Sequence, residues 1–499
     1  NIRPSALLSA YAKTTHGGVD ESNDDGRYPA KPWIFNNHAG AVSAQRVVAD
    51  HPSHHSHEIN LVRLPGHTEE AIDIQPMTDR GNFVTGHTVF NGRRFGTLFD
   101  VPLGPVQSPV SLNGANLAAG YHLPRFTAPI GNSFAHPVMS AGAILESGDG
   151  HTLADHSYLL NSLFFEGFYC SGLQSSEGPF GDGTTTDALA EGFFAGGEPL
   201  PDPRFLPYLA DGATPEQATE AVVAADGYQH AAAYQLLKGA FNVNSTSVEA
   251  WKAVLSSMSG DNAAVAALPL LGGGNTENLD ELDEPADANG ARFSRFRLPN
   301  SQPESGDPDA LWHGPRDLSA EELDRLAHAI VEEVRERGPF LSMTEFVNRG
   351  IGPTSDRTLL GALQAAIDRA DINEDALLGG YEIDNADLGL LELRTPEALA
   401  GPSSEGAPGV LTQADILGML GNSATVRSDT FLVRGYGESV DASGRVLARA
   451  WCEAVVQRFP DACPDTNAGD VLEELAMPSS RFGRQFRIVS FRWLSAEEV

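Results

Sequence analysis

The stretch from Val426 to Phe459, VRSDTFLVRGYGESVDASGRVLARAWCEAVVQRF, constrains the fold more than any other. It reads as two β-strands joined by the short polar turn Asp441-Ala-Ser-Gly444, with glycine where the backbone needs a positive φ. The second strand alternates. One face carries Val446, Ala448, Ala450, Cys452, Ala454 and Val456; the other carries Leu447, Arg449, Trp451, Glu453, Val455 and Gln457. A face of small apolar residues lets another element come close to the sheet, and a helix laid across it is the natural occupant. Phe486 to Leu494 supplies a third strand. The chain is therefore expected to end in an antiparallel sheet whose cover comes from elsewhere.

A chain of 499 residues has room for roughly two to four domains with sizeable cores. Its net charge of -34 argues against a nucleic-acid partner, because phosphate binding needs basic surface, and against docking on anionic membranes. Lysine stands only at Lys13, Lys31, Lys238 and Lys252, and arginine supplies the remaining positive charge. Such a surface suits a salty or calcium-containing exterior; a GC-rich genome would also replace Lys by Arg. Three cysteines make no disulfide framework, although a single Cys452–Cys463 bridge is open to the chain and would leave Cys170 free. No apolar run reaches the roughly 18 residues of a membrane span, and no signal peptide is visible. The start at Asn1 leads to the expectation that an N-terminal portion, with any anchor, has been removed.

Residues 1–150 are rich in Gly, Pro, Asn and His and hold short alternating segments. Val42 to Ala49, Glu58 to Leu64 and Asn82 to Leu98 read as strands, and Pro102 to Ala143 reads as loop. Residues 151–420 read as mainly helical. A buried aromatic-rich helix begins near Ala154, residues 172–213 look irregular, and Thr214-Pro-Glu-Gln217 starts a helix expected to reach Gly239. Thr246 with Glu249 forms a capping box before the apolar face Val248, Trp251, Leu255 and Met258. An acidic linker, 272–317, splits this region into two helical units. Beyond it, Ser319 and Glu322 cap a helix whose stripe is Leu323, Leu326, Ile330 and Val334, ended by Gly338-Pro339. Ser342 and Glu345 cap a short helix, another runs from Arg357 to Ala370, and a last one covers Thr412 to Leu420 after a Pro/Gly/Ser linker. Residues 421–499 form the terminal sheet. The fold class expected is α+β.

AFNVNSTSVEAWKAVL, IVEEVRERGPFLSMTEFVNR, and VRSDTFLVRGYGES followed by ARAWCEAVVQR resemble, in order, the K-class minor pseudopilin of type II secretion systems. That likeness spans residues 240 to 460, with Asn244-Ser245 where the family has Asn-Thr. FDVPLGPVQSPVSLNGANL, PIGNSFAHPV, ADHSYLLNSLFFEGFYCSGL and the ending RFGRQFRIVSFRWLSAEEV resemble the large Verru_Chthon cassette protein A family of Verrucomicrobia, encoded with pilin-like partners. The resemblance implies a pilin-like antiparallel sheet with a large inserted helical domain, wrapped on a long N-terminal helix. That helix would cover the small-residue face and provide the only attachment to a membrane.

Four groups of residues invite a chemical reading. Asp371, Asn373, Asp375 and Glu382 stand at positions 1, 3, 5 and 12 of an EF-hand-type calcium loop, with Leu378 at the apolar position 8. Ala376 stands where the sharp turn calls for glycine, and a polar loop closing a helix explains the same residues; the K-class likeness points to calcium. His51, His54, His55 and His57 have zinc- or copper-binding chemistry, or are solvated imidazoles. Asp149, His151, Asp155 and His156 are acid/base-capable, but no nucleophile motif accompanies them, and a capping Asp with structural histidines accounts for them. The acidic run Glu277 to Asp287 reads as a solvated loop.

These readings lead to a non-enzymatic assembly subunit, at the tip or surface of an extracellular filament or pseudopilus, with other pilin-like subunits as partners. An extracellular ligand-binding or adhesion module is the alternative, and a hydrolase using the first-half His and Asp groups is a further one.

Overall fold

Asp155 starts the first helix by accepting the N–H of Tyr158 on Oδ1, which satisfies one orphan donor of α1, His156–Gly167. Further along, α2, Val248–Leu255, is capped by Ser247 rather than Thr246, one residue later than the capping-box pattern places it. Ser319 and Glu322 cap α3, Ala320–Arg337, reciprocally, and its stripe of Leu323, Leu326, Ile330 and Val334 is buried as spaced. Ser342 caps α4, Met343–Val347.

The single helix expected from Arg357 is two, α5, Asp356–Leu359, and α6, Ala362–Arg369. Leu360 leaves the helix to bridge Phe134, and the Gly361 N–H donates to the Ser133 carbonyl at 2.8 Å. A Cβ on Gly361 would lie 2.5 Å from the Val347 carbonyl oxygen, so glycine is needed for this close approach. The last helix, α7, is Gln413–Leu420.

The computed structural model describes residues 106–112, 130–135, 139–148, 151–175, 183–209, 213–259, 285–295, 315–374, 394–399, 410–462 and 484–498, together with short strand segments elsewhere. They fall into two units. The first comprises Asn1–Leu189, Leu200–Asp202 and Val243–Val426, and contains α1 to α7. Its core is Trp251, Leu326, Ile330, Phe346 and Ile367, all fully buried, with the Trp251 and Phe346 rings stacked 6.3 Å apart. The unit also holds a sheet in which β1, Ala6–Thr14, pairs antiparallel with β2, His57–Arg63, and β3, Thr97–Pro102. The strand expected at 42–49 and the histidine cluster up to His55 lie outside the described residues.

The second unit comprises Ala190–Pro199, Pro203–Asn242 and Arg427–Val499. Thr214 and Gln217 cap Pro215–Val223 as a full box, but this helix stops well short of Gly239. A Cβ on Gly227 would sit 2.0 Å from the Val222 carbonyl oxygen, so the chain folds back tightly there and turns into the strand Gln235–Leu237, paired with Phe205–Pro207. The terminal sheet follows, in the order β4, Thr430–Val440, β5, Val446–Ala462, and β6, Arg484–Leu494, antiparallel throughout. At its hairpin turn Gly444 has φ +84°, and the Asp441 carboxylate accepts the N–H groups of Ser443 and Arg445. The fold class is α+β.

Gly361→Ala should cost about 1–3 kcal/mol, because the added methyl has no room and its neighbours are backbone and a buried amide. Gly437→Ala should change stability by less than about 0.5 kcal/mol, since nothing lies within 4 Å of that Cβ. Denaturant midpoints measure both, and equal losses would contradict this packing.

Candidate functional site

The register of the terminal sheet gives it two chemically different faces. Residues directly opposite on neighbouring strands share a face. Arg434, Glu453 and Arg492 are opposite one another on one side. Glu453 accepts from Arg434 Nε at 2.8 Å and from Arg492 Nε at 2.9 Å, and these two guanidinium groups hold its carboxyl below the usual carboxylate range. Tyr436 and Trp451 pack their rings 5.6 Å apart on the same side. This face carries the charged latch, with Leu432 and Leu447 exposed to either side of it.

The other side is apolar and open. β5 contributes Ala448, Ala450, Cys452, Ala454 and Val456; β4 sets Phe431, Val433, Gly435 and Gly437 beside them; β6 adds Ile488, Phe491 and Trp493. Trp493 is 69% exposed, Ile488 66%, Phe491 51% and Val433 50%. The small residues form a floor and the large ones a rim. Three strands about 4.8 Å apart make that face about 10 Å across, close to the diameter of one α-helix. Contiguous exposed apolar surface of this kind marks an interaction site.

The small-residue strand was legible from alternation, but half of the surface was not. Gly435 and Gly437 join the floor only through pairing with Cys452 and Ala450. The β6 residues arrive through a register shift between Val455 and Val456 that leaves Val489 unpaired. No sequence period contains that bulge. Cys452 is a free thiol on this face; Cys463 lies outside the described residues.

The other candidate residues have structural employment wherever they are described. Asp155 caps α1 with one oxygen and with the other receives Arg349 Nη2 at 3.0 Å. Asp149 and the side chains of His151 and His156 lie outside what is described. In the proposed calcium loop, Asp371 has φ +51°, the left-handed conformation that closes a helix. Asn373 donates to the Leu411 carbonyl at 2.8 Å and accepts the Leu411 N–H at 2.9 Å, so its carboxamide is committed to main chain. Asp375 and Glu382 lie outside the described residues, and the calcium reading rests on them. Among the described residues, no three His, Cys, Asp or Glu side chains are grouped to hold a metal. No described helix is long and apolar enough to cross a membrane.

The NVNS motif has a structural role as well. Asn244 Oδ1 accepts the Phe340 N–H at 2.7 Å and its Nδ2 donates to the Phe340 carbonyl at 2.9 Å, as a neighbouring strand would. Trp251 Nε1 donates to the Ser245 carbonyl at 2.9 Å.

No known protein family matches the chain, and neither does any curated protein or any solved structure.

Two tests follow from this geometry. Asn373→Ala leaves the buried Leu411 groups unpaired and should cost about 1–3 kcal/mol, equally in calcium and in chelator. Glu453 contributes stability that is present above the ordinary glutamate range of about pH 4.3 and is lost as pH falls through its lowered folded value. Glu453→Gln should therefore flatten the fall in melting temperature on acidification below that range; an unchanged acid limb would show that the latch carries no linkage.

Proposed function

We propose that this chain is a non-enzymatic, pilin-like assembly subunit of an extracellular filament or pseudopilus, placed at its tip or surface. The observation that carries the reading is the open apolar face of the terminal sheet. Its floor of Gly435, Gly437, Ala448 and Ala450 admits a close neighbour, and its rim of Phe491, Trp493 and Val433 grips what lies between. The opposite face has its charges paired in the Arg434–Glu453–Arg492 latch and lacks the continuous small-residue floor. The occupant we infer is the apolar helix of a pilin-like subunit, because a helix matches the width of the three strands. The resemblance of residues 240 to 460 to the K-class minor pseudopilins, read from the sequence, supports the same partner. A net charge of -34 agrees with an exterior setting and disfavours nucleic acid as a partner.

Ala450→Leu tests the reading, because Ala450 is exposed in the free sheet and would meet the helix only on assembly. The variant should fold with an unchanged melting temperature yet fail to assemble, overpacking the interface at about 1–3 kcal/mol. Cys452 provides a second readout on the same face. Its thiol should react with a maleimide in the isolated chain and be protected in the assembled filament. Normal assembly of Ala450→Leu, with Cys452 equally reactive in both states, would overturn the proposal.

A further inference from the structure

The outer edge of β4 has no partner strand among the described residues. Edges of this kind are ordinarily blunted by charged side chains, proline or a bulge. From Thr430 to Ser439 β4 holds no proline, its register with β5 runs unbroken until Ser439/Val440, and its only charges are one arginine and one glutamate, Arg434 and Glu438. β6, the other edge, carries a bulge at Val489. Only the β4 edge is a straight, regular template.

Its charges are self-complementary. We propose that β4 pairs antiparallel with β4 of a second copy of this chain, about a two-fold axis at Tyr436. In that register Arg434 stands opposite Glu438 of the second copy, and Glu438 opposite its Arg434. Tyr436 meets Tyr436, Leu432 meets Val440, and Gly435 meets Gly437. Centring the pair on Arg434 or on Glu438 sets like charges together, and a slip that pairs odd with even positions turns one copy's apolar face to the wrong side. Centring on Gly435 or Gly437 keeps the faces together but sets neither Arg434 nor Glu438 opposite a charge, so only the Tyr436 register satisfies charge and face at once.

The groups needed are available. Arg434 uses Nε for Glu453, and its side chain is 53% exposed. Glu438 meets the Tyr436 hydroxyl and Arg449 through one oxygen, Oε2, and the pair across the axis would use Oε1. Tyr436 and Leu432 are 55% and 60% exposed. The product is an isologous dimer with one six-stranded sheet, β6-β5-β4-β4-β5-β6, whose apolar face is continuous and twice as wide. This pairing stands on the edge and its charges and does not depend on the pilin-like reading.

The test uses the full chain. Sedimentation over a concentration series should show a dimer. Glu438→Arg and Arg434→Glu should each raise the dissociation constant at least about tenfold, because each places two pairs of like charges across the axis. Mixing the two variants should restore association as a heterodimer, since every pair across the axis then joins opposite charges. Arg434→Glu also removes a donor to Glu453, and Glu438→Arg sets an arginine opposite Arg449, so melting temperature is followed for both and the Tyr436→Cys crosslink carries the test if either fails to fold. Tyr436→Cys gives a direct reading of register. Opposite Cα atoms lie about 4.5–5.5 Å apart, within disulfide range, so mild oxidation should crosslink it to its own copy. Leu432→Cys, whose copies would stand on the order of 27 Å apart, should crosslink no more than the native cysteines do. A chain that stays monomeric overturns the proposal. So does a dimer that tolerates Glu438→Arg, or one in which Tyr436→Cys and Leu432→Cys crosslink alike.

Discussion

Three buried polar side chains hold the first unit in register, and its helices depend on them. Gln413 donates Nε2 to the carbonyls of Gly131 and Val347, both at 2.7 Å, while its Oε1 accepts the N–H groups of Leu363 and Gln364 at the start of α6. Asn161, in α1, accepts from the Gly131 N–H at 2.7 Å and donates to the Asn132 carbonyl at 2.8 Å. Arg349 reaches the carbonyls of Ala141 and Ala143 and the carboxylate of Asp155. All three side chains are buried, and all three bind the irregular segments 130–135 and 139–143. Irregular backbone inside a core must find partners for its N–H and C=O groups, and here side chains supply them in place of a strand ladder.

That arrangement places the loop-like stretch IGNSFA, residues 130–135, among the most buried of the described residues. Ile130 packs with Phe164 of α1, and Phe134 and Ala135 are buried beside Leu359 and Leu360. The helices around it obtain their stability from apolar stripes, which are forgiving of register. The amide ties are not forgiving, because an unpaired group in a buried network loses its full solvation. Uniqueness in this unit comes from the amides and bulk stability from the stripes.

The second unit solves the opposite problem. A three-stranded sheet has little interior, so its residues divide into a side that satisfies itself and a side that does not. Two arginines on one glutamate pair the charges of one side. Aromatic rims around a glycine and alanine floor leave the apolar side incomplete, and the bulge-free β4 edge leaves one set of backbone groups unpaired among the described strands. The proposals made for this unit concern what completes it.

Local chemistry was sufficient for the elements whose determinants are local. The Ser319–Glu322 box, the Leu323-to-Val334 stripe, the Asp441-to-Gly444 turn and the alternation of β5 all depend on neighbours a few residues away, and all four are present. The helix after Thr214 was expected to be too long and the one after Asp356 to be unbroken. What ends them is the close approach of Gly227 and Gly361 to carbonyl oxygens, and for Gly361 that oxygen, on Val347, belongs to another element. The calcium-loop pattern was likewise a reading of spacing alone. Asn373 has the right chemistry for a ligand, yet Leu411, distant in sequence, engages both ends of its carboxamide. Sequence by itself determined the turn, the alternation, the stripes and most of the caps, Ser247 in place of Thr246 excepted, because those are contacts within one element. Only the tertiary structure decided which irregular segment is buried, which three strands share the apolar face, and which polar side chains are already engaged, because those depend on pairing between residues up to a few hundred positions apart.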